Sequence, residues 1–271
     1  MIKDITLGQY FPGRSFLHRM DARIKMILTF LFIIFLFIAN NFVAVGLMVA
    51  AVVACVALSR VPVKLYFKGL KAILFIVIFT SLLNIFYVTD GRVLVHWKFI
   101  TITDQGILRS VYVSLRIACM IVLSCALTYT TSPTDLTDAI ERLMRPLRVI
   151  KVPVHEIAMM MTIALRFVPT LLEETDKIMS AQKARGADME SGGLISRMKA
   201  MIPILIPLFV SSFRSAYDLS IAMECRCYHG GEGRTRMKQL KLRASDFVAL
   251  GTGVLLCIGV ILCNILLKTT I

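Results

Sequence analysis

The longest greasy stretch sets the terms for the whole chain. Residues 24–58 are apolar apart from Lys25 at the start and Asn40-Asn41 near the middle. As a single helix they would extend about 52 Å at ~1.5 Å per residue, against a bilayer hydrocarbon core ~30 Å thick. Two spans turning at the asparagine pair fit that length. Apolar runs at 69–88, 107–130 and 244–267 supply three more spans, and a mean hydropathy of +0.77 with 57% hydrophobic residues excludes a soluble domain. The sequence therefore predicts an all-α integral membrane protein with about five transmembrane helices.

The formal net charge of +14 first suggests nucleic acid, but its distribution points to topology. Five Lys and Arg lie in residues 1–25 (Lys3, Arg14, Arg19, Arg23, Lys25) and four in the 59–71 loop, none at Asn40-Asn41, two in 89–106, and 17 in 131–243. Basic residues collect on the cytoplasmic side of a membrane, so the N-terminus and the long interval are expected inside and the C-terminus outside. Nucleic acid drops out as a partner. Charges through the first two dozen residues exclude a cleaved signal peptide, and that segment, with Tyr10, Phe11, Phe16 and Leu17, suits the membrane surface. Five of seven cysteines sit inside apolar runs and read as small buried hydrophobes rather than a disulfide framework. The expected divisions are 1–130 (interfacial segment and four spans), 131–243 (a cytoplasmic-side region of three helices) and 244–271 (the last span).

Within the interval, Ser132-Pro133-Thr134-Asp135 is a helix start: a capping hydroxyl, proline at the first helical position and an acid in the first turn. A short amphipathic helix follows. A second helix is predicted over 154–184, apolar nearly all round in its first half and kinked at Pro169, and a third over 194–227, bent by Pro203 and Pro207. The uncharged run 200–213 is short of the ~20 residues a span needs. If 157–172 and 200–213 both crossed, Lys177, Lys183, Arg185, Arg197 and Lys199 would lie outside, so both helices are expected on the cytoplasmic side.

Catalytic and cofactor motifs are missing. No P-loop occurs; Gly230-Gly231-Glu232-Gly233-Arg234 lacks the Lys-Ser/Thr pair and reads as a basic turn. His155-Glu156 lacks the second histidine of a zinc peptidase, and Cys225, Cys227 and His229 lack a second ligand pair, so no metal is expected. Arg116 sits deep in a span and calls for an internal partner, whereas Arg109 at the span edge suits a snorkelling side chain. Met159-Met160-Met161 is either core filling or an adaptable docking surface. What remains are two helices ending alike, in Ala184-Arg185-Gly186 and Cys225-Arg226-Cys227. A planar guanidinium between small residues can make paired, charge-assisted hydrogen bonds in a partner's groove.

On these residues the chain resembles the EcfT/CbiQ family, the transmembrane components of energy-coupling factor transporters. Gly8-Gln9-Tyr10, Pro12-Gly13, Leu17-His18-Arg19-Met20-Asp21 and Arg23-x-Lys25 are similar to the family's opening. Its two Ala-Arg-Gly signatures correspond to Ala184-Arg185-Gly186 and, with cysteines replacing Ala and Gly, to Cys225-Arg226-Cys227. The resemblance implies a non-enzymatic coupling subunit in the bacterial plasma membrane, assembled with two cytosolic ABC ATPases and a small membrane-embedded subunit that captures a vitamin or metal ion. It places Ala184, Arg185, Gly186, Cys225, Arg226 and Cys227 in ATPase grooves. The apolar face bearing Ile157, Met160, Met161, Ala164, Val168 and Leu172 then holds the substrate-binding subunit. Two alternatives stand beside it. Ala181-x-x-Ala184-x-Gly186 followed by Ile202-Pro203 loosely resembles the coupling loop of a conventional ABC importer permease, and a membrane scaffold without transport is the other.

Overall fold

The computed structural model describes residues 10–87, 92–97, 100–187, 193–230 and 242–266. The 188–192 and 231–234 stretches, and Gly8-Gln9, lie outside the described residues. Two compact units form, one from Gln9–Ala139 with Gln239–Ile271, the other from Ile140–Lys238.

In the first unit the expected spans appear as α2 (Ala22–Ile38), α3 (Phe42–Ser59), α4 (Val63–Tyr87), α5 (Asp104–Thr130) and α9 (Ala244–Leu266), preceded by a single turn, α1 (Phe16–Arg19). Side chains fix the starts. Asp21 caps α2 by accepting from the Arg23 amide at 2.9 Å, Thr103 caps α5 through the Gly106 amide at 3.2 Å, and each bond satisfies a donor the first helical turn leaves open. The 17 residues of α2 reach ~26 Å, the short end of a membrane span.

The core gathers α2, α3, α5 and α9 around Phe32, Leu36, Met48, Val52, Leu123 and Val260. α9 comes so near α2 that a Cβ on Gly253 would stand 2.4 Å from Leu28 Cδ2; close backbone approach through a small residue is how helices pack where lipid removes the hydrophobic drive. α4 packs on α5, where the Ser81 and Ser110 hydroxyls hydrogen-bond and Ser110 Oγ also donates to the Ser81 carbonyl at 3.0 Å. Elsewhere α4 exposes Phe75, Ile78 and Tyr87, side chains suited to acyl chains.

Where the sequence suggests only a connection between α4 and α5, the structure has an antiparallel hairpin, β1 (Val93–Trp97) and β2 (Ile100–Thr103). It pairs Val95 with Ile102 and Trp97 with Ile100, with an irregularity between Val93 and Val95. The chain is otherwise helical in its described regular elements.

The turn at Asn40-Asn41 is where the polar residues of the spans converge. The Ala39 carbonyl, at the C-cap of α2, accepts from Arg116 Nη2 at 2.9 Å and from the Tyr112 hydroxyl. Asn264 Nδ2 donates to the Ile38 carbonyl at 2.7 Å, its oxygen accepts from the Asn40 amide, and Asn41 Nδ2 reaches the Cys263 carbonyl at 3.1 Å. The last carbonyls of a helix carry its negative dipole end and lack intrahelical donors, so a cation from α5 and an amide from α9 close α2 from two sides. Arg116 is thus a structural cap, resting also on the Tyr112 ring at 4.7 Å.

At the other end, buried Lys25 donates to the Thr130 carbonyl at 2.8 Å, neutralising the C-terminus of α5. Buried Asp246 accepts from the Asp21 amide at 3.2 Å and the Arg243 amide at 2.8 Å, and Arg23 pairs with Asp21 at 2.7 Å. His18 bridges Ser15 and the Phe11 carbonyl. The basic and acidic residues of the N-terminal signature therefore tie α2, α5 and α9 together.

The second unit begins within α6 (Pro133–Met144), whose Ser132 cap accepts from the Asp135 amide at 3.1 Å as its sequence predicts. A 3-10 helix (Arg145–Ile150) leads to α7 (Val154–Ala184) and α8 (Leu194–Glu224). Both long helices run through their prolines without interruption. Pro207 has no amide to give the Pro203 carbonyl, and Gln182 Nε2 of α7 donates to it instead at 3.3 Å. With Ser211 Oγ donating to Glu174 at 2.7 Å, the two contacts run in opposite sequence directions, so α7 and α8 are antiparallel where they meet.

Among the described residues six stretches are long and apolar enough to cross a membrane: α3, α4, α5, α9, α7 and residues Met198–Glu224 of α8. Length and composition alone thus admit α7 and α8 beside the expected spans.

Candidate functional site

The two arginine signatures form the same local structure. At the end of α7, Gly186 takes φ +85, its amide donates to the Lys183 carbonyl at 3.0 Å, and the Ala187 amide reaches back to the Gln182 carbonyl at 3.0 Å. This is the paired closing pattern of a Schellman motif. At the end of α8, Cys227 takes φ +55, its amide donates to the Glu224 carbonyl at 2.9 Å, and the Tyr228 amide donates to the Met223 carbonyl at 3.0 Å. Bond for bond the motif is repeated, with a cysteine in the left-handed position that glycine normally fills.

Each arginine occupies the residue before the left-handed one. Both are exposed, and among the described residues neither guanidinium has a side-chain partner. Because α7 and α8 are antiparallel at their contact, the two ends diverge, and at ~1.5 Å per residue Arg185 and Arg226 stand up to roughly 40 Å apart along the helix axes. Ala184, Cys225 and Cys227 are exposed beside them. Both thiols are free, and no group of three metal-ligating side chains is found among the described residues.

Of the apolar set on α7, Met160 is 58% and Met161 38% exposed, Ala164 is exposed, and Ile157, Val168 and Leu172 are half-buried. The methionines are therefore surface, not core filling. His155 and Glu141 join the start of α7 to α6 at 3.2 Å. α8 carries a longer exposed apolar surface, beyond the residues expected from sequence: Met198, Ile206, Phe209, Phe213 and Tyr217. Its signal in the sequence is the uncharged run 200–213. Arg109 is exposed, as a snorkelling side chain would be, and Asn84 spends an amide hydrogen on the Thr80 carbonyl of its own helix.

The CbiQ family, described as cobalt transport protein, matches residues 13–237. A protein of Ruminiclostridium cellulolyticum named energy-coupling factor transporter transmembrane protein EcfT is 53% identical over 97% of this chain and 98% of its own length. This chain belongs to the EcfT/CbiQ family. The EcfT proteins of Clostridium kluyveri and Bacillus subtilis are 51% and 45% identical, over 96% and 91% of this chain and 97% and 93% of theirs. The chain is thus an EcfT-type transmembrane component of an energy-coupling factor transporter, a multi-pass membrane protein. The second unit carries the two matched arginine ends, both exposed.

Proposed function

We propose that this EcfT-family chain transmits ATPase motion to a substrate-binding membrane subunit that takes up a vitamin or other micronutrient. Arg185 and Arg226 each anchor one of two cytosolic ABC ATPases. The observation that carries the reading is the repeated helix end: two matching backbone terminations present exposed guanidinium groups, without a side-chain partner among the described residues, at opposite ends of the antiparallel pair, a spacing suited to two separate grooves. The reading keeps α7 and α8 on the cytoplasmic side with the N-terminus, since crossing would carry Lys177, Lys183 and Arg185 outside. The face with Ile157, Met160, Met161, Ala164, Val168 and Leu172 takes the substrate-binding subunit, on exposed thioethers that repack easily against a partner.

The test is co-purification of the ATPases with Arg185→Glu, Arg226→Glu and the double variant. Losing one buried charge-assisted contact costs ~2–5 kcal/mol, and tethered contacts reinforce each other. Each single variant should weaken the complex and the double variant should abolish it. Full retention of ATPase by the double variant refutes the anchoring. A neutral Arg185→Glu beside a disruptive Arg226→Glu would place the end of α7 on the far side of the membrane.

A further inference from the structure

The 3-10 helix between α6 and α7 is an exposed tip of unusual character. Every residue from 145 to 151 is exposed, and Val149 and Ile150 reach 89% and 73%. The tip is a defined shape. Lys151 takes φ +61, its amide donates to the Arg148 carbonyl at 3.0 Å, and the Val152 amide reaches the Leu147 carbonyl at 3.4 Å, so the turn closes in the same paired manner as the arginine ends. Beside the two branched apolar side chains Arg145, Arg148 and Lys151 recur every third residue, a spacing that a 3-10 helix aligns along one edge, with Arg142 one turn earlier, and residues 142–152 contain no acid. The neighbouring Glu141 is engaged with His155.

We infer that this tip inserts Val149 and Ile150 into the interfacial layer of the membrane, with Arg145, Arg148 and Lys151 held by the phosphates of anionic phospholipids. Exposed apolar side chains beside a row of cations match the acyl and headgroup layers of a negatively charged leaflet, where each basic residue near the surface adds attraction. The tether permits it: α5 ends at Thr130, and the 12-residue α6 that follows is only ~18 Å long. The placement rests only on the end of α5 lying at the membrane surface and is indifferent to which side α7 and α8 occupy. It would hold the root of α7 against the bilayer.

The chain has a single tryptophan, Trp97, so Val149→Trp in a Trp97→Phe background gives one reporter, and Ile150→Trp a second should the first fail to fold. The full-length protein is reconstituted in phosphatidylcholine vesicles with or without phosphatidylglycerol, using lipids brominated near the glycerol or near the chain ends. The expected result is blue-shifted emission, quenched more by bromine near the glycerol and strengthened by phosphatidylglycerol. Adding Arg145→Glu, Arg148→Glu and Lys151→Glu should weaken the tip's hold on the anionic leaflet by more than roughly a hundredfold, the loss expected from neutralising the three charges alone, returning emission to that of a solvated indole. Unquenched emission in both lipid mixtures overturns the inference. So does quenching indifferent to phosphatidylglycerol and charge reversal, or emission that shifts only when the ATPases are added, which would make the tip a protein contact. Because no ATPase is needed for the readout, its failure is separable from failure of the anchoring reading.

Discussion

Cys227→Gly should strengthen the end of α8. Cys227 sits at φ +55, where an L-residue's Cβ crowds the following carbonyl at a cost of roughly 1–2 kcal/mol. Glycine removes that cost but gives back ~0.4–1 kcal/mol through the greater freedom of the unfolded chain. The net gain is about 0.5–1 kcal/mol, a roughly two- to fivefold shift in the local opening equilibrium at 1.4 kcal/mol per tenfold. The readout is hydrogen exchange of the Cys227 and Tyr228 amides, which donate to Glu224 and Met223; both should exchange two- to fivefold more slowly. Cys227→Ser, which keeps the Cβ, should leave the rates unchanged and so separates backbone strain from thiol chemistry. The mirror experiment, Gly186→Cys, should speed exchange at the Gly186 and Ala187 amides by a similar factor. Equal or faster exchange in Cys227→Gly would refute the idea that the second signature carries a strained copy of the first.

Arg116→Met should lower thermal stability in detergent by about 2 kcal/mol, since a charge-assisted bond to a helix end is lost; adding Tyr112→Phe strips the Ala39 carbonyl of both donors and should cost more than the two single changes summed. No loss on Arg116→Met would refute its role as the cap of α2. Gln182→Ala should cost ~0.5–1 kcal/mol, because the Pro203 carbonyl then has only water, and the effect should vanish when Pro207→Ala restores the helical amide. Photocrosslinkers replacing Met160 and Met161 should capture the substrate-binding subunit; capture of lipid alone would count against docking on that face.

Much of the fold was legible because spans are written in the length of their apolar runs. The Asn40-Asn41 turn, the Ser132 start of α6 and the matched ends of α7 and α8 each follow from one strong local rule. The partners of polar groups were not legible. Arg116 meets a backbone carbonyl from a helix 77 positions away, and a carbonyl leaves no mark in side-chain sequence. The same holds for Lys25 and Thr130. The hairpin of 93–103 was hidden because alternation over so few residues is weak beside the neighbouring spans. The conformation of Cys227 was open for a different reason: sequence records the missing glycine, but only the hydrogen bonds to Met223 and Glu224 show that the termination survives it.

The meeting of α7 with α8 through Gln182–Pro203 and Glu174–Ser211 has a mechanical meaning. These contacts sit near one end of α7 but toward the middle of α8, so from the midpoint between them Arg185 lies ~10 Å one way and Arg226 ~28 Å the other. About that fulcrum the two arms are unequal by nearly a factor of three. A given rotation of the pair about that point would move the Arg226 end nearly three times as far as the Arg185 end.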